Sequence, residues 1–386
     1  MNQPSTDSTG RAFAAARTFY EWPHSLDGRA AGEVLRAEPL AGNDLIVHAA
    51  VGHRLLYVST GFDGTRVAVS GLVYLPRSFA PSQGWPLVSY AHGTTGITSA
   101  AAPSLNPRAL LLGHPELGTP SALLEAGYAV ACTDYQGLGT AGPHPYLHGP
   151  TLAHNQIDIV RASRDHLTEL GASWVAIGHS EGGLASLFTA GRATELAPEL
   201  DFRGAVATAP PTEWNTLLRH TSALGRILTP LVLHAATYHD SALKSESWLN
   251  QDGLTLRHAW ESSFLLEPGT VLETFLPLMG RPLLTLSEDE IDDSSAAGRL
   301  ANRMDTTHFE VPRNRLDRPA MIVEGGLDEF CVVGTVQRLA ESLNEAGSDI
   351  EFLHLPGSGH LTLAEDAMAD ILAFVRRLLP GVSSAT

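Results

Sequence analysis

The sequence has little positive charge. It contains one lysine, Lys244, and 25 basic side chains in all against 42 acidic ones, which gives a net charge of −17. Nucleic acids and anionic membrane surfaces bind proteins through clusters of basic residues. The acidic balance therefore predicts that neither nucleic acid nor an anionic membrane is a partner of this protein.

Long apolar runs and a cysteine framework are also missing. The sequence has no stretch of about 18 consecutive apolar residues, so we expect no transmembrane helix and no stable membrane insertion. The two cysteines, Cys132 and Cys331, are too few for a disulfide scaffold. Residues 1–17 contain no apolar run of signal-peptide length. These absences predict a cytoplasmic protein.

The composition is that of a globular chain. Hydrophobic residues make up 44% of the 386 residues and charged residues only 17%, which excludes a disordered chain. The length is sufficient for two domains, or for one α/β domain that carries an insertion.

Segments of strand type alternate with segments of helix type from residue 85 to residue 210. The predicted strands in this region are Leu87–Ala91, Tyr128–Cys132, Trp174–Ile177 and Gly204–Ala209. Strands that alternate with helices are typical of a parallel sheet covered by helices on both faces. The sequence therefore predicts an α/β fold.

The alternation stops near residue 212 and resumes after residue 313. The intervening residues have helical patterns and several prolines, and they interrupt a single α/β unit. We therefore predict an N-terminal arm over residues 1–40, a core over 41–211 and 314–386, and a mostly helical cap over 212–313.

A short glycine-rich motif contains the candidate nucleophile. Gly178-His179-Ser180-Glu181-Gly182 has the pattern G-x-S-x-G, and it lies between an apolar strand and a helix of small residues. A strand–turn–helix elbow of this type presents a serine hydroxyl at the C-terminal edge of a sheet. The alternative is a glycine-rich turn with a capping serine. The flanking elements favour Ser180 as a nucleophile.

A serine nucleophile needs a histidine base that is oriented by a carboxylate, and in this type of fold the chain order is Ser, acid, His. Asp328 follows a predicted strand that ends at Glu324, and His360 follows the next predicted strand, Ile350–Leu355. We therefore predict Asp328 as the acid and His360 as the base. Three neighbouring residues compete for these roles: Glu324, Glu329 and His354.

The loop after the first inner strand is expected to supply part of an oxyanion hole. This loop is His92-Gly93-Thr94-Thr95-Gly96. We predict the backbone N–H groups of Thr94 and Glu181 as the two donors, since the latter begins the helix that follows the nucleophile.

Three residues near these motifs are candidate substrate contacts: Thr95, Tyr135 and His179. For Tyr135, which follows Asp134 at a strand end, a structural role in a hydrogen-bonded turn is the favoured interpretation, and substrate contact is the alternative. The spacing of His, Cys and Asp indicates no metal site, and no phosphate-binding loop is present. We expect neither a metal nor a cofactor.

Three stretches of the chain resemble the secretory lipases, the lipase A-like branch of the α/β hydrolases. The stretches are Ser89–Gly96, Thr133–Gly139 with Gly142–Tyr146, and Gly178–Gly183. The resemblance covers roughly residues 45 to 375. It implies an α/β-hydrolase fold with a mostly parallel central sheet, a helical cap inserted before the acid, and hydrolysis of carboxylic esters. It also implies Ser180 as nucleophile, Asp328 as acid and His360 as base.

The chain departs from the family pattern at the residue after the nucleophile. Members commonly have glutamine there, whereas this chain has Glu181. A carboxylate at this position is expected to place negative charge near the acyl pocket, which disfavours anionic substrates. Members also usually have a secretion signal, and none is recognisable here.

These observations predict a serine hydrolase that cleaves a neutral, small-molecule carboxylic ester through an acyl-enzyme. Two alternatives share the same motifs. One is an acyltransferase that passes the acyl group to a second alcohol or amine, and the other is a non-catalytic protein that uses the hydrolase pocket to bind a ligand. The length of the acyl chain, the alcohol part and the oligomeric state are left open by the sequence.

Overall fold

The computed structural model describes residues 18–105, 107, 118–213, 222, 224–239, 244–262, 271–285, 299 and 315–380. Within these residues, nine strands form one sheet. In chain order they are β1 (Val34–Pro39), β2 (Ala49–Thr60), β3 (Arg66–Pro76), β4 (Trp85–Ala91), β5 (Ala129–Thr133), β6 (Leu170–His179), β7 (Asp201–Thr208), β8 (Ala320–Gly325) and β9 (Ile350–Leu355).

The strand order across the sheet is β1-β2-β3-β5-β4-β6-β7-β8-β9. The pairs at one end are antiparallel, from β1 through β2 and β3 to β5. All neighbouring pairs from β5 to β9 are parallel. The prediction of a mostly parallel central sheet is therefore confirmed, and the C-terminal ends of β4, β6, β7, β8 and β9 meet at one edge.

Helices connect these strands. In chain order the α-helices are α1 (Gly118–Glu125), α2 (Gly149–His166), α3 (Glu181–Ala190), α4 (Ala193–Leu196), α5 (Thr229–His239), α6 (Gln251–Ser262), α7 (Leu276–Leu278), α8 (Thr335–Glu345), α9 (Leu363–Asp366) and α10 (Met368–Leu378). A π-helical turn at Val271–Phe275 leads into α7.

Both faces of the sheet are buried under helices. Side chains of β6 alternate between two hydrophobic clusters: Trp174 and Ala176 lie in one, and Val175 and Ile177 lie in the other. The first cluster includes residues of α2, α3 and α8, and the second includes residues of α1 and α10. Burial on both faces explains why the inner strands are continuous apolar runs in the sequence.

One buried glutamine fixes the helix α3 against the sheet. The Gln156 side chain in α2 donates to the Ser89 carbonyl of β4 at 3.0 Å and to the Ser186 hydroxyl of α3 at 3.1 Å. Its amide oxygen accepts from the Thr189 hydroxyl at 2.8 Å. Since an unsatisfied buried amide is costly, these bonds specify one position of α3 relative to β4.

Two elements are not evident from the sequence pattern. The helix α2 ends at His166, and Leu170 already pairs with Trp85 as the first residue of β6. Within the predicted N-terminal arm, residues 34–39 form β1 and pair with β2. This strand lies at the sheet edge and is only half-buried, so its sequence lacks a continuous apolar run.

The described residues between β7 and β8 contain helices and no strand of the sheet. Trp260 of α6 is fully buried, its indole N–H donates to the Ile227 carbonyl at 3.0 Å, and its ring lies 4.8 Å from that of Phe275. Trp260, Ile227 and Phe275 belong to the same hydrophobic cluster as Trp174 and Ala176 of β6, so this segment packs onto the core of the sheet. The division into arm, core and cap stays a prediction, since much of 1–40 and 212–313 lies outside the described residues.

No helix in the described part of the chain is long and apolar enough to cross a membrane.

A buried carboxylate after β5 joins two loops to the sheet. Asp134 is completely buried, and it accepts hydrogen bonds from the Ser104 amide at 2.9 Å, from the Ser104 hydroxyl and from the Ser70 hydroxyl at 2.6 Å. Burial raises the pKa of Asp134 to about 6, although these hydrogen bonds lower it. The folded protein therefore binds a proton at Asp134 more readily than the unfolded chain does.

This shift predicts a stability that depends on pH. The contribution of Asp134 is fully present below pH 4 and is lost as the pH rises through about 6, which amounts to about 3 kcal/mol. We expect the unfolding free energy of the parent, measured in urea and relative to Asp134→Asn, to fall by about that amount between pH 4 and pH 8. Asp370→Asn, a substitution at an exposed residue, is the control. The unfolding free energy of the parent relative to this variant should change little between pH 4 and pH 8. An equal slope for the parent and Asp134→Asn would contradict the prediction.

Candidate active site

Ser180 lies in a strained turn between β6 and α3. Its backbone has φ 54° and ψ −118°, a conformation that residues with a side chain rarely adopt. The Ser180 amide donates to the Thr208 carbonyl of β7 at 2.8 Å, which holds the turn against the sheet. Ser180 is half-buried, while its neighbours His179 and Glu181 are buried. The strand–turn–helix elbow predicted from the sequence is present.

The flanking glycines are required by close backbone contacts. A Cβ at Gly178 would lie 2.0 Å from the carbonyl oxygen of Gly182. A Cβ at Gly182 would lie 1.9 Å from the carbonyl oxygen of Ala91, the last residue of β4. Both distances are far below van der Waals contact, so only glycine fits at these two positions. This packing gives the G-x-S-x-G pattern its physical basis.

Asp328 and His360 form a buried hydrogen-bonded pair. The His360 Nδ1 lies 2.8 Å from one Asp328 carboxylate oxygen and 2.9 Å from the other, and both side chains are at most 5% exposed. A carboxylate only accepts hydrogen bonds, so Nδ1 carries the proton and Nε2 is left as a base. The two residues come from the loops after β8 and β9, at the same sheet edge as Ser180.

The Asp328 carboxylate is itself held in place. One of its oxygens accepts from the amides of Phe330 at 2.9 Å and Cys331 at 2.7 Å. Burial would raise the pKa of Asp328, but the charge and hydrogen bond of His360 and these two amides together lower it below the usual value. The carboxylate therefore stays ionised beside the imidazole.

Two rings pack against the His360 imidazole. The ring of His179, the residue before Ser180, has its centroid 4.8 Å away, and the ring of Phe330 lies at 4.9 Å. These contacts hold the His360 imidazole next to the elbow and limit the rotation of its ring. His179 is buried and its Nδ1 lies 2.9 Å from the Thr208 hydroxyl, so the contacts support a packing role more than the predicted contact with substrate.

The competing acids and the competing histidine have other partners. Glu324 accepts from the Gly334 amide at 2.7 Å and lies 3.2 Å from Nδ1 of His354. Glu329 accepts from the backbone amide of His360 at 2.7 Å, not from its ring. The geometry therefore favours Asp328 and His360 over these alternatives.

The loop His92–Gly96 after β4 is buried beside the elbow. The Thr94 hydroxyl lies 2.8 Å from the Tyr146 hydroxyl. The Thr95 hydroxyl is buried and has no hydrogen-bond partner among the described residues, which is compatible with its predicted contact with a ligand. Glu181 is the first residue of α3, where an amide N–H has no acceptor within the helix.

Tyr135 is completely buried, and its hydroxyl donates to the His92 carbonyl at 2.8 Å. It has φ 72°, and its ring packs 4.4 Å from that of His92. These contacts support the interpretation in which Tyr135 holds the turn and the His92–Gly96 loop. They give no support to a substrate contact.

One residue of the site was not singled out by the sequence analysis. His144 is buried, and its Nε2 lies 3.0 Å from the carboxylate of Glu181. The only signal in the sequence was the stretch Gly142–Tyr146, which carries part of the family resemblance. Because His144 pairs with Glu181, the negative charge expected beside the nucleophile is balanced. Glu181 therefore gives no reason of its own to expect a neutral substrate.

Three groups near the base form a set with metal-ligand chemistry. The ligand atoms of Asp328, Cys331 and His360 all lie within 4.8 Å of one another. Two ligands of a tetrahedral zinc ion lie about 3.3 Å apart, whereas the carboxylate and the imidazole are 2.8 Å apart. Burial also raises the pKa of the Cys331 thiol well above its usual value, which disfavours the thiolate. The set fits a hydrogen-bonded acid–base pair better than a metal centre, and the absence of a metal stays a prediction.

Comparison with known proteins supports this description. The family model described as Secretory lipase matches residues 115–238. A protein of Mycobacterium tuberculosis named "Probable inactive lipase MT1628" is 27% identical over 364 residues, which cover 89% of this chain and 78% of the relative. These matches confirm the resemblance to the secretory lipases that the motifs predict.

Solved structures confirm the α/β-hydrolase fold. Candida antarctica lipase A has a TM-score of 0.72 at 18% identity, with 95% of this chain and 86% of that chain covered. The rice cell wall degrading esterase LipA from Xanthomonas oryzae has a TM-score of 0.72 at 18% identity, with 91% of this chain and 98% of that chain covered.

The close contact at Gly182 generates a prediction. In Gly182→Ala the new methyl group collides with the Ala91 carbonyl, so α3 must shift away from β4. We expect the unfolding free energy to fall by at least about 2 kcal/mol, measured by urea denaturation. Gly118→Ala, whose methyl group meets nothing within 4 Å, is the matched control and should not destabilise the protein. Equal stability of the two variants would contradict this account of the elbow.

Proposed function

We propose that this protein is a serine carboxylic ester hydrolase. The observation that carries the proposal is the buried Asp328–His360 pair at the sheet edge where the strained elbow holds Ser180. A histidine whose Nδ1 proton is held by a carboxylate has an unprotonated Nε2 that can accept a proton, and this is what a serine nucleophile requires. The resemblance to the secretory lipases and the shared fold of a lipase and an esterase support the proposal.

The proposed reaction has two halves. In the first, the Ser180 oxygen attacks the ester carbonyl while His360 takes the hydroxyl proton. The amides of Thr94 and Glu181 stabilise the oxyanion, and His360 then gives the proton to the leaving alcohol. In the second, His360 removes a proton from water, the resulting hydroxide attacks the acyl-enzyme, and the proton returns to Ser180 as the carboxylic acid leaves.

A neutral ester is the proposed substrate class. Leu327 and Leu361 adjoin Asp328 and His360 in the chain and are 61% and 39% exposed. The ring of Phe330 packs on the imidazole. These three side chains beside the proposed base are apolar, and none of them offers a positive charge to an anionic substrate.

The name of the Mycobacterium tuberculosis relative favours a second candidate function. Because this relative is named a probable inactive lipase, a chain that resembles it is also a candidate for ligand binding without turnover. The Ser180, Asp328 and His360 side chains of this chain argue for catalysis. The two functions differ in what happens to a bound ester: a hydrolase cleaves it, and a binding protein leaves it intact.

A series of p-nitrophenyl esters with acyl chains of increasing length tests the proposal. We expect hydrolysis of at least one ester by the parent, and loss of at least about 10³-fold in kcat in Ser180→Ala. Product analysis with added alcohol separates hydrolysis from acyl transfer, since an acyltransferase would form a new ester. Tight binding of an ester without turnover by either protein would instead favour the non-catalytic function.

The role of Asp328 gives a further prediction. In Asp328→Asn the amide group donates to Nδ1, so the proton moves to Nε2 and the imidazole is no longer a base. We expect kcat to fall by about 10⁴-fold, as measured on the ester that the parent hydrolyses best. Glu329→Gln retains an acceptor for the His360 amide and serves as the control, with a much smaller effect. If Glu329→Gln lost as much activity as Asp328→Asn, the assignment of the orienting role to Asp328 would be wrong.

A further inference from the structure

A second buried acid–imidazole pair lies directly beside the nucleophile. Glu181 follows Ser180 in the chain, and its carboxylate lies 3.0 Å from Nε2 of His144. The side chains of His144 and Glu181 are 0% and 1% exposed. The proposed reaction uses the backbone amide of Glu181 and assigns no role to either side chain.

The hydrogen bonds of His144 determine the charge of this pair. Its Nδ1 lies 2.8 Å from the Gln136 carbonyl, which only accepts, so Nδ1 carries a proton. The 3.0 Å contact between Nε2 and the carboxylate then requires a second proton between them, because two lone pairs would repel each other. Whichever atom holds this proton, the pair has a net charge of zero.

The other titratable groups that interact with this pair carry no positive charge that could balance the Glu181 carboxylate. Burial lowers the pKa of His92 and of His234 to about 4, so both imidazoles are neutral at pH 7. Burial also raises the pKa of Tyr135 and of Tyr146 well above the usual value. Asp328 and His360 form a separate pair. Among these described groups, His144 is the one that can neutralise Glu181.

The path of the backbone places the His144 ring beside Glu181. Gly137 has φ 81°, and a Cβ there would lie 2.4 Å from the His144 amide nitrogen, so the two loop segments are in direct contact. The His144 ring stacks on Tyr135 at 5.9 Å and meets the ring of Tyr146 edge-on at 6.1 Å. Tyr146 in turn contacts the Thr94 hydroxyl. The pair is therefore built into the same loops that form the proposed oxyanion hole.

We propose that His144 is a positioning residue that keeps the side chain of Glu181 neutralised, so that the Glu181 amide can stabilise an oxyanion without an opposing buried charge. The catalytic part of this inference rests on the proposed ester hydrolysis. An unbalanced carboxylate in a site of low dielectric would repel the developing negative charge and raise the barrier. His144 acts through Glu181 and does not touch the reacting atoms.

The test is a double-mutant cycle of His144→Phe and Glu181→Gln. Phenylalanine keeps a ring between Tyr135 and Tyr146 but removes both nitrogens. Glutamine removes the charge at position 181 with little change in shape. The kcat and KM values of the four proteins are measured on one p-nitrophenyl ester from pH 5 to pH 9, and unfolding free energies are measured in urea over the same range.

We expect His144→Phe to lower kcat by more than tenfold at pH 8, with a smaller loss at pH 5, because low pH favours the uncharged form of a buried carboxylic acid that has lost its partner. KM should change little. The same substitution in the Glu181→Gln background should cost much less and show no such pH dependence. A loss of equal size in both backgrounds and at every pH would overturn the proposal, because His144 would then only fill space.

The unfolding measurements separate this proposal from the proposed function. Relative to the double variant, His144→Phe should lose stability as the pH rises, because its folded state then holds an unbalanced buried carboxylate. The stability measurement does not depend on ester hydrolysis. If the parent had no esterase activity, the proposed function would be refuted, but the unfolding data would still test whether His144 balances the charge of Glu181. If His144→Phe does not fold, His144→Gln takes its place, since its amide donates to Glu181 but supplies no balancing proton.

Discussion

The contact between Gly182 and the Ala91 carbonyl is the constraint on which the site depends. It brings the start of α3 against the end of β4, at a distance that no side chain permits. The turn between β6 and α3 is then so short that Ser180 takes a strained backbone conformation. Because Ala91 directly precedes the His92–Gly96 loop, the same contact places that loop beside the first amides of α3. One backbone contact thus brings Ser180, the proposed nucleophile, next to both proposed oxyanion donors.

Around this contact two buried carboxylates are each paired with an imidazole. Asp328 and His360 form one pair, and His144 and Glu181 form another. Both pairs are buried, where an isolated charge would be costly. Gln156 adds a neutral set of hydrogen bonds that ties α2 and α3 to β4. In the proposed reaction, His360 takes up a proton beside the ionised Asp328, while His144 balances the charge of Glu181, so negative charge that develops on the substrate meets no unpaired carboxylate of these two pairs.

The sequence predicted most of the sheet because its inner strands are apolar runs that end in glycine-rich turns. Asp328 and His360 could be placed at one edge because parallel strands share the direction of their ends. The choice against Glu324 and Glu329 needed coordinates, since it depends on which oxygen faces which nitrogen. The pairing of His144 with Glu181 was not predictable, because it arises from the path of an irregular loop. The strand β1 was missed because an edge strand has half-exposed side chains and no clear pattern.

The backbone of Ser180 has a consequence for how such proteins change over time. A conformation of this kind costs on the order of 1–3 kcal/mol in any residue with a side chain, and glycine adopts it without that cost. Replacing Ser180 by glycine would therefore relieve strain in the fold while it removes the proposed nucleophile. Selection for stability alone would act against serine at this position, so a serine that is retained there would need selection for its hydroxyl. A scaffold of this type is one substitution away from a more relaxed molecule that only binds.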